Sequence, residues 1–171
     1  CNFGGTRLDG SATVRLNDAP IFANFFSQSS FAAYALANEA NTVKVPKEAP
    51  LELLGPLGCG VQTGAGAVLN TFRPSAGSSL AVFGCGSVGL AALMAGNAAG
   101  CTKLIAVDIN PARLDLAREL GATHCFDPRS CNVVEEIQKL GGADFSLECT
   151  GIPAVFRQAV VDQVGAQRPA E

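Results

Sequence analysis

Three glycines at fixed spacing and one acid form the pattern in this chain that is best suited to chemistry. Gly84, Gly86 and Gly89 directly follow a short apolar run, and Asp108 ends a second apolar run 19 residues later. The first glycine allows a tight turn, the second admits a pyrophosphate, and the third lets a helix pack close to the sheet. An acid about 20 residues further on accepts hydrogen bonds from ribose hydroxyls. The pattern predicts dinucleotide binding.

The same residues favour one cofactor over another. A helix that begins near Ser87 directs free N–H groups and the positive end of its dipole at the phosphates. Because Asp108 would repel a 2′-phosphate, we expect NAD rather than NADP. Two alternatives stay open: a glycine turn that serves packing alone, and a methyltransferase that binds S-adenosylmethionine.

Composition narrows the class of protein. The 171 residues are 48% apolar without a run long enough to cross a bilayer, which predicts a soluble globular protein with no membrane partner. A net charge of −3 with scattered Lys and Arg gives no basic surface for nucleic acid. Seven cysteines without a C-x-x-C pair are typical of a reducing cytoplasm. The chain opens on Cys1 without Met, so we expect an interior segment.

Strands and helices alternate from residue 80 onward, as in a parallel sheet with helices on both faces. Strands are predicted at 80–84, 103–109, 124–126 and 144–150, and helices at 87–99, 111–120, 132–140 and 153–164. A complete dinucleotide fold has six strands. The predicted fold class is therefore α/β, a partial doubly wound parallel (Rossmann) sheet.

The first sixty residues have a different character, with frequent Gly and Asn and poor periodicity. The segments 31–37 and 42–45 are predicted as strands of a β-rich domain. A helix-like stretch covers 63–71, so the predicted domain boundary lies near Gly60. The two predicted domains are 1–60 and 61–171.

Five motifs lie in order along the chain, namely FAAY (31–34) before VKVP (43–46), LGCGVQTG (57–64), the glycine turn (84–89), AVDIN (106–110) and ECTG (148–151). With these motifs the chain resembles the zinc-containing alcohol dehydrogenases of the medium-chain dehydrogenase/reductase family, especially the aryl (benzyl) alcohol branch. The resemblance covers nearly all of the chain up to about residue 162 and implies that 1–60 is the C-terminal part of a GroES-like catalytic domain. It implies that 61–171 is an incomplete NAD-binding Rossmann domain.

Residue roles follow from the resemblance. It implies that Cys59 is a ligand of a catalytic zinc, that Thr63 supports the nicotinamide ring, and that Val88 packs behind the ring. It also places Phe25 and Phe26 in the substrate pocket, where two aromatic rings suit an aryl alcohol, although ordinary core packing explains them equally well.

The adenosine half of the cofactor has its own residues in the resemblance. Asp108 and Ile109 would flank the adenosine, and Arg113 would lie near its ribose. Cys149 and Thr150 would line the cofactor cleft.

The resemblance implies NAD-dependent oxidation of a primary alcohol to an aldehyde, in which zinc polarises the alcohol oxygen and the cofactor accepts a hydride. A catalytic zinc needs three protein ligands, Cys₂His in alcohol dehydrogenases. The only histidine, His124, opens a predicted strand at the end opposite the cofactor crevice. We therefore expect this chain alone to be inactive.

Other functions remain open at this point. The chain could be a non-catalytic dinucleotide-binding fragment, or part of a zinc-free reductase of the same superfamily in which Cys59 is only a buried thiol. For the full-length enzyme, the expected partners are a small-molecule alcohol or aldehyde and further copies of the protein.

Overall fold

A computed structural model describes residues 5–7, 9–23, 33–35 and 37–164. The chain divides into two compact units, 1–49 and 50–171. This division lies ten residues before the boundary predicted near Gly60. The short helical segments within residues 50–60 belong to the second unit, because they lead directly into its longer helices. The assignment of the two parts to catalytic and cofactor-binding domains stays a prediction.

The first unit contains a two-stranded antiparallel hairpin. Strand β1 (Val14–Leu16) pairs with β2 (Ala19–Ile21). Asn17 and Asp18 join them with φ angles of 48° and 63°. Positive φ at both central residues is the conformation of a type I′ turn, which matches the twist of the flanking strands.

The strand predicted over 42–45 is wrong. These four residues are exposed and follow a short 3₁₀ helix, Glu39–Asn41, which the Asn38 side chain caps. The pattern of alternating Val residues therefore has no neighbouring strand to pair with in the described part of the unit. Of the other predicted strand, 31–37, the structure describes 33–35 and 37, and these residues are not in a strand.

The second unit begins with consecutive helical segments, which include the helix-like stretch predicted at 63–71. Helix α1 (Leu51–Leu54) leads through a 3₁₀ turn (Gly55–Gly58) into α2 (Gly60–Gly66). A π-helical turn, Ala67–Phe72, follows and ends at Arg73, which has a left-handed conformation.

A parallel four-stranded sheet forms the centre of the second unit. Its strands are β3 (Ser79–Phe83), β4 (Lys103–Val107), β5 (His124–Phe126) and β6 (Phe145–Glu148), in the order β5-β4-β3-β6. The connecting helices are α3 (Ser87–Ala98), α4 (Pro111–Glu119), α5 (Val133–Lys139) and α6 (Pro153–Val164). The predicted partial doubly wound sheet is confirmed, since the chain leaves the first strand to one side and returns to its other side.

The core lies on both faces of β3, all of whose residues are buried. Leu80 and Val82 face the cluster under α3, and Ala81 and Phe83 face the cluster under α5 and α6. A strand that is buried on both faces has a continuous apolar run in its sequence, and residues 80–83 form such a run. Among the described residues, no helix combines the length and apolarity that a bilayer crossing requires.

A candidate dinucleotide site at the carboxyl ends of the strands

The glycine turn between β3 and α3 is held by contacts that exclude larger residues. Gly84 has a φ of +95°, and its N–H donates to the Val107 carbonyl over 2.8 Å. A Cβ on Gly84 would lie 2.8 Å from the Thr150 methyl, and a Cβ on Gly89 would lie 1.9 Å from the Gly84 carbonyl oxygen. Both glycines are therefore required by backbone geometry and by the close approach of helix to strand.

Gly86 differs from these two glycines, because no backbone strain or clash demands a glycine there. It has a φ of −78°, which any residue can adopt, and no described atom beyond its chain neighbours lies within 4 Å of the position of an added Cβ. The space in front of Gly86 and the amino end of α3 is thus open. Free helical N–H groups beside an open space suit the phosphates of a dinucleotide.

The Asp108 carboxylate is buried, with 5% of its side chain exposed, and each of its oxygens has a partner. Its Oδ2 accepts from the Cys85 N–H and its Oδ1 from the Asn110 N–H, both over 2.7 Å. The Arg113 Nη1 lies 3.7 Å from Oδ2. Because a carboxylate offers about four acceptor positions, capacity remains for ribose hydroxyls.

The glycine turn and Asp108 line one cavity of about 490 Å³. Its volume lies within the usual range of roughly 300–1,000 Å³ for small-molecule sites. The predicted residues that line it are Gly84, Gly86, Asp108, Ile109, Arg113, Cys149 and Thr150. The cavity lies at the carboxyl ends of β3, β4 and β6, where the strand order reverses and where ligands bind in such sheets.

The turn after β6 forms one wall of this cavity. The Cys149 N–H donates to the Phe83 carbonyl over 2.8 Å, which ties the turn to β3. The Glu148 carboxylate accepts from the Thr150 N–H over 2.6 Å and from the Gly151 N–H over 3.1 Å. It also accepts a hydrogen bond from the Thr150 hydroxyl.

The thiols near the cavity are poor nucleophiles. Burial and the neighbouring Asp108 charge raise the pKa of Cys85 to about 12, and burial and Glu148 raise the pKa of Cys149 to about 11. Because the thiolate is the nucleophilic form, both residues are unreactive near neutral pH. The site is therefore suited to binding rather than to thiol chemistry.

The nicotinamide and metal residues predicted from the resemblance lie beside the glycine turn rather than in the cavity lining. A Cβ on Gly60 would lie 2.9 Å from the Ser87 Cβ, which puts the adjacent Cys59 near the amino end of α3. A Cβ on Gly64 would lie 2.0 Å from the Val88 carbonyl oxygen. Thr63 precedes that helix crossing and is exposed.

Two predicted residues and several cavity residues complete the comparison with the sequence. Phe25 and Phe26 lie outside the described residues, so their role stays a prediction. His124 begins β5, at the strand end away from the cavity, as predicted. Sequence reasoning missed six residues of the lining, namely Phe83, Val107, Pro128, Ile152, Val155 and Gln158.

Some of the missed residues had a signal in the sequence. Phe83 and Val107 lie within two residues of the ends of predicted strands, and Pro128 follows another, so the rule that ligands bind at carboxyl strand ends could have found them. Gln158 lies within α6, one turn after Val155, and no motif marks it.

The described residues do not make a zinc site. Among them, no group of three or more His, Cys, Asp or Glu side chains could hold a metal ion. Cys59 is exposed and is the single predicted ligand, whereas a catalytic zinc takes three protein ligands.

Comparisons with known proteins agree with this fold. Residues 87–161 match the family model described as zinc-binding dehydrogenase. A geraniol dehydrogenase from Castellaniella defragrans is 47% identical over 163 residues, which cover 93% of this chain and 44% of that protein. A probable alcohol dehydrogenase from a Pseudomonas species is 45% identical, over 93% of this chain and 52% of that protein.

Two solved structures extend the likeness to three dimensions. An alcohol dehydrogenase zinc-binding domain protein from Burkholderia ambifaria is 55% identical with a TM-score of 0.86. The benzyl alcohol dehydrogenase of Acinetobacter calcoaceticus is 46% identical with a TM-score of 0.84. Each match covers 94% of this chain and 44% of the other.

The chain spans about half the length of the curated relatives that it matches. Within that span, the observed parallel sheet with its glycine turn is consistent with the matched family model. Residues 87–161 therefore form part of a zinc-binding dehydrogenase domain, and the chain is homologous over most of its length to alcohol dehydrogenases.

Proposed function

We propose that residues 50–171 bind NAD and that the complete protein is an NAD- and zinc-dependent alcohol dehydrogenase. One observation carries the first half of the proposal. Gly86, which has open space beside it, and the buried Asp108 both line a single cavity beside the amino end of a helix. A phosphate site and a ribose acceptor in one cavity are what a dinucleotide requires.

The chain's own residues divide the binding task. The Gly86 cradle and the amino end of α3 would hold the diphosphate, and Asp108 would accept from the adenosine ribose. Asp108 would also disfavour a 2′-phosphate, because two anions repel at short distance in a partly buried site. When bound, NAD would supply the hydride acceptor for oxidation of an alcohol.

The proposed substrate is a primary alcohol, with an aryl alcohol preferred. Similar proteins named for geraniol and for benzyl alcohol support this class. Phe25 and Phe26 are the proposed aromatic lining of the substrate pocket.

Zinc enters the proposal only for the complete protein, in which Cys59 would be one of its ligands and Thr63 and Val88 would adjoin the nicotinamide. We infer that the chain by itself does not turn over substrate, because one thiolate does not hold a catalytic zinc. The proposal includes a homo-oligomeric complete protein in the cytoplasm. The free thiols of the described cysteines fit a reducing compartment.

Calorimetric titration of this chain with NADH, NADPH and S-adenosylmethionine tests the binding proposal. NADH is expected to bind more tightly than NADPH, because Asp108 disfavours the extra phosphate. Binding of S-adenosylmethionine without NADH binding would support the methyltransferase alternative and contradict the proposal.

The catalytic proposal needs the full-length protein that contains this chain. With NAD and benzyl alcohol, the full-length protein should produce NADH, and a chelator should abolish the reaction. This chain, supplied with zinc under the same conditions, should produce none. Chelator-resistant activity would instead favour a zinc-free reductase.

A further inference from the structure

We propose that Glu148 is a positioning residue of the cofactor site, which acts by holding the turn 149–151 against Gly84. Glu148 is the last residue of β6 and does not line the cavity. The inference rests on the proposed NAD site, and it adds a residue whose contacts lie behind that site.

The Glu148 carboxylate gathers the polar groups of the turn. Its Oε1 accepts from the Thr150 N–H over 2.6 Å and from the Gly151 N–H over 3.1 Å, and its Oε2 lies 3.1 Å from the same Gly151 nitrogen. The Thr150 hydroxyl donates to Oε1 and accepts from the Ile152 N–H over 3.1 Å. Hydrogen bonds to a charged acceptor are the stronger kind, so this turn is firmly fixed.

The orientation of Thr150 follows from these bonds. Its single hydroxyl proton is committed to Glu148, so the side chain meets the glycine turn with its methyl group. That methyl lies 2.8 Å from the position of a Cβ on Gly84, and the Cys149 carbonyl carbon lies 3.3 Å from it. The turn therefore occupies the space beside Gly84 on the β6 side and leaves no room for a larger residue there.

Gly84 is held from the other side as well. Its N–H donates to Val107, and the next N–H, of Cys85, donates to Asp108. The glycine turn thus lies between two carboxylates at the ends of the strands that flank β3, Asp108 after β4 and Glu148 at the end of β6. A diphosphate is an anion and would repel a carboxylate, so Glu148 acts through the turn and not as a ligand.

The matched control is Asp144, a second carboxylate that links β6 to β3. Its Oδ2 accepts from the Ser79 N–H and from the Ser79 hydroxyl, each over 2.8 Å, at the amino ends of the strands. Asp144→Asn removes the charge from this contact with Ser79, which lies at the opposite ends of the strands from the cavity. It therefore reports the effect of general loosening between β3 and β6.

The experiment compares NADH affinity and Tm in the chain and in its Glu148→Gln and Asp144→Asn variants. Glu148→Gln should weaken NADH binding at least fivefold, because an amide N–H₂ then faces the Gly151 N–H. Asp144→Asn should lower Tm and leave NADH affinity within twofold. Adenosine, titrated alone, should bind equally to all three proteins, because its contacts lie at Asp108 and Arg113.

Thr150→Val keeps the methyl group and removes the hydroxyl, so it tests the link without removing Glu148. The double variant Glu148→Gln/Thr150→Val should bind NADH no more weakly than Glu148→Gln alone. Additive losses, an equal loss in Asp144→Asn, or full affinity in Glu148→Gln would each overturn the inference. Absence of NADH binding to the unaltered chain would overturn the proposed function itself.

Discussion

Asp108 makes two kinds of contact that the sequence pattern does not separate. One is the contact with a ribose that we propose. The other is structural, since its two oxygens accept from the backbone of Cys85 and Asn110. A substitution at this position therefore changes the shape of the site as well as its charge.

Asp108→Ser is expected to reduce discrimination between NADH and NADPH, because the repelling charge is lost. It should also weaken binding of NADH about tenfold, equivalent to about 1.4 kcal/mol, since the Cys85 N–H loses its acceptor. Calorimetric titration of both cofactors measures the two effects. Asp115→Ser, an exposed acid on α4 paired with Arg118, is the control. An unchanged cofactor preference would contradict the role of Asp108.

At the residue scale, the sequence predicted those roles that depend on spacing along the chain. Gly84, Gly86 and Asp108 line one cavity because a strand, a turn and a second strand place them there. Glu148 and Gln158 were not predicted to contribute. Their places in and behind the cavity depend on which groups a side chain meets across the sheet or along a helix face, and this is decided only by the folded packing.

Among the elements, the passage from β3 into α3 combines two glycines with opposite requirements. A Cβ added to Gly89 would lie 1.9 Å from the Gly84 carbonyl oxygen, whereas a Cβ added to Gly86 would point into open space. Gly89 is therefore needed by the fold, whereas Gly86 is not, and the role proposed for Gly86 is to admit a ligand.

Gly86→Ala and Gly89→Ala should consequently have different effects. Gly86→Ala should lower the free energy of unfolding by less than about 1 kcal/mol, a capping effect, yet weaken NADH binding about tenfold. Gly89→Ala should lower the free energy of unfolding by about 1–3 kcal/mol or more through overpacking. Chemical denaturation and titration of both variants separate the two effects. Strong destabilisation by Gly86→Ala would contradict the reading of Gly86 as a ligand cradle.

The elements of the second unit could be predicted because their signals are local. Asn110 caps α4 by accepting from the Ala112 N–H, and Pro111 occupies the first helical position, as the sequence indicates. The strand predicted over 42–45 was wrong, since alternation alone does not supply a partner strand. The turn at Asn17 and Asp18 carried a better signal, because such residues tolerate positive φ.

Across the whole molecule, buried thiols make stability depend on alkaline pH. The pKa of Cys85 is raised from 9.0 to about 12, chiefly by burial. Below pH 9 the thiol is protonated in both the folded and the unfolded chain, so its contribution to stability is complete. Between about pH 9 and pH 12 the unfolded chain loses this proton first, and the free energy of unfolding falls.

Cys85→Ala should therefore flatten the alkaline loss of stability by at most about 1.4 kcal/mol per pH unit. Urea denaturation at pH 7, 9 and 10.5 measures the slope. Val82→Ala, a buried truncation without a thiol, should lower stability by a similar amount at every pH. The assignment is contradicted if Cys85→Ala retains the slope of the unaltered chain.

The two carboxylates that bracket the glycine turn have an evolutionary consequence. Asp108 accepts from the Cys85 N–H of the glycine turn, and in the proposed function it also selects the cofactor. A single replacement there that admits a new cofactor would therefore also weaken the binding of that cofactor. Descendants that switch preference are thus expected to carry compensating changes at neighbouring positions, with epistasis between them. Glu148, which bonds to the turn 149–151 and is proposed to hold the glycine turn through it, is one position where such compensation would accumulate.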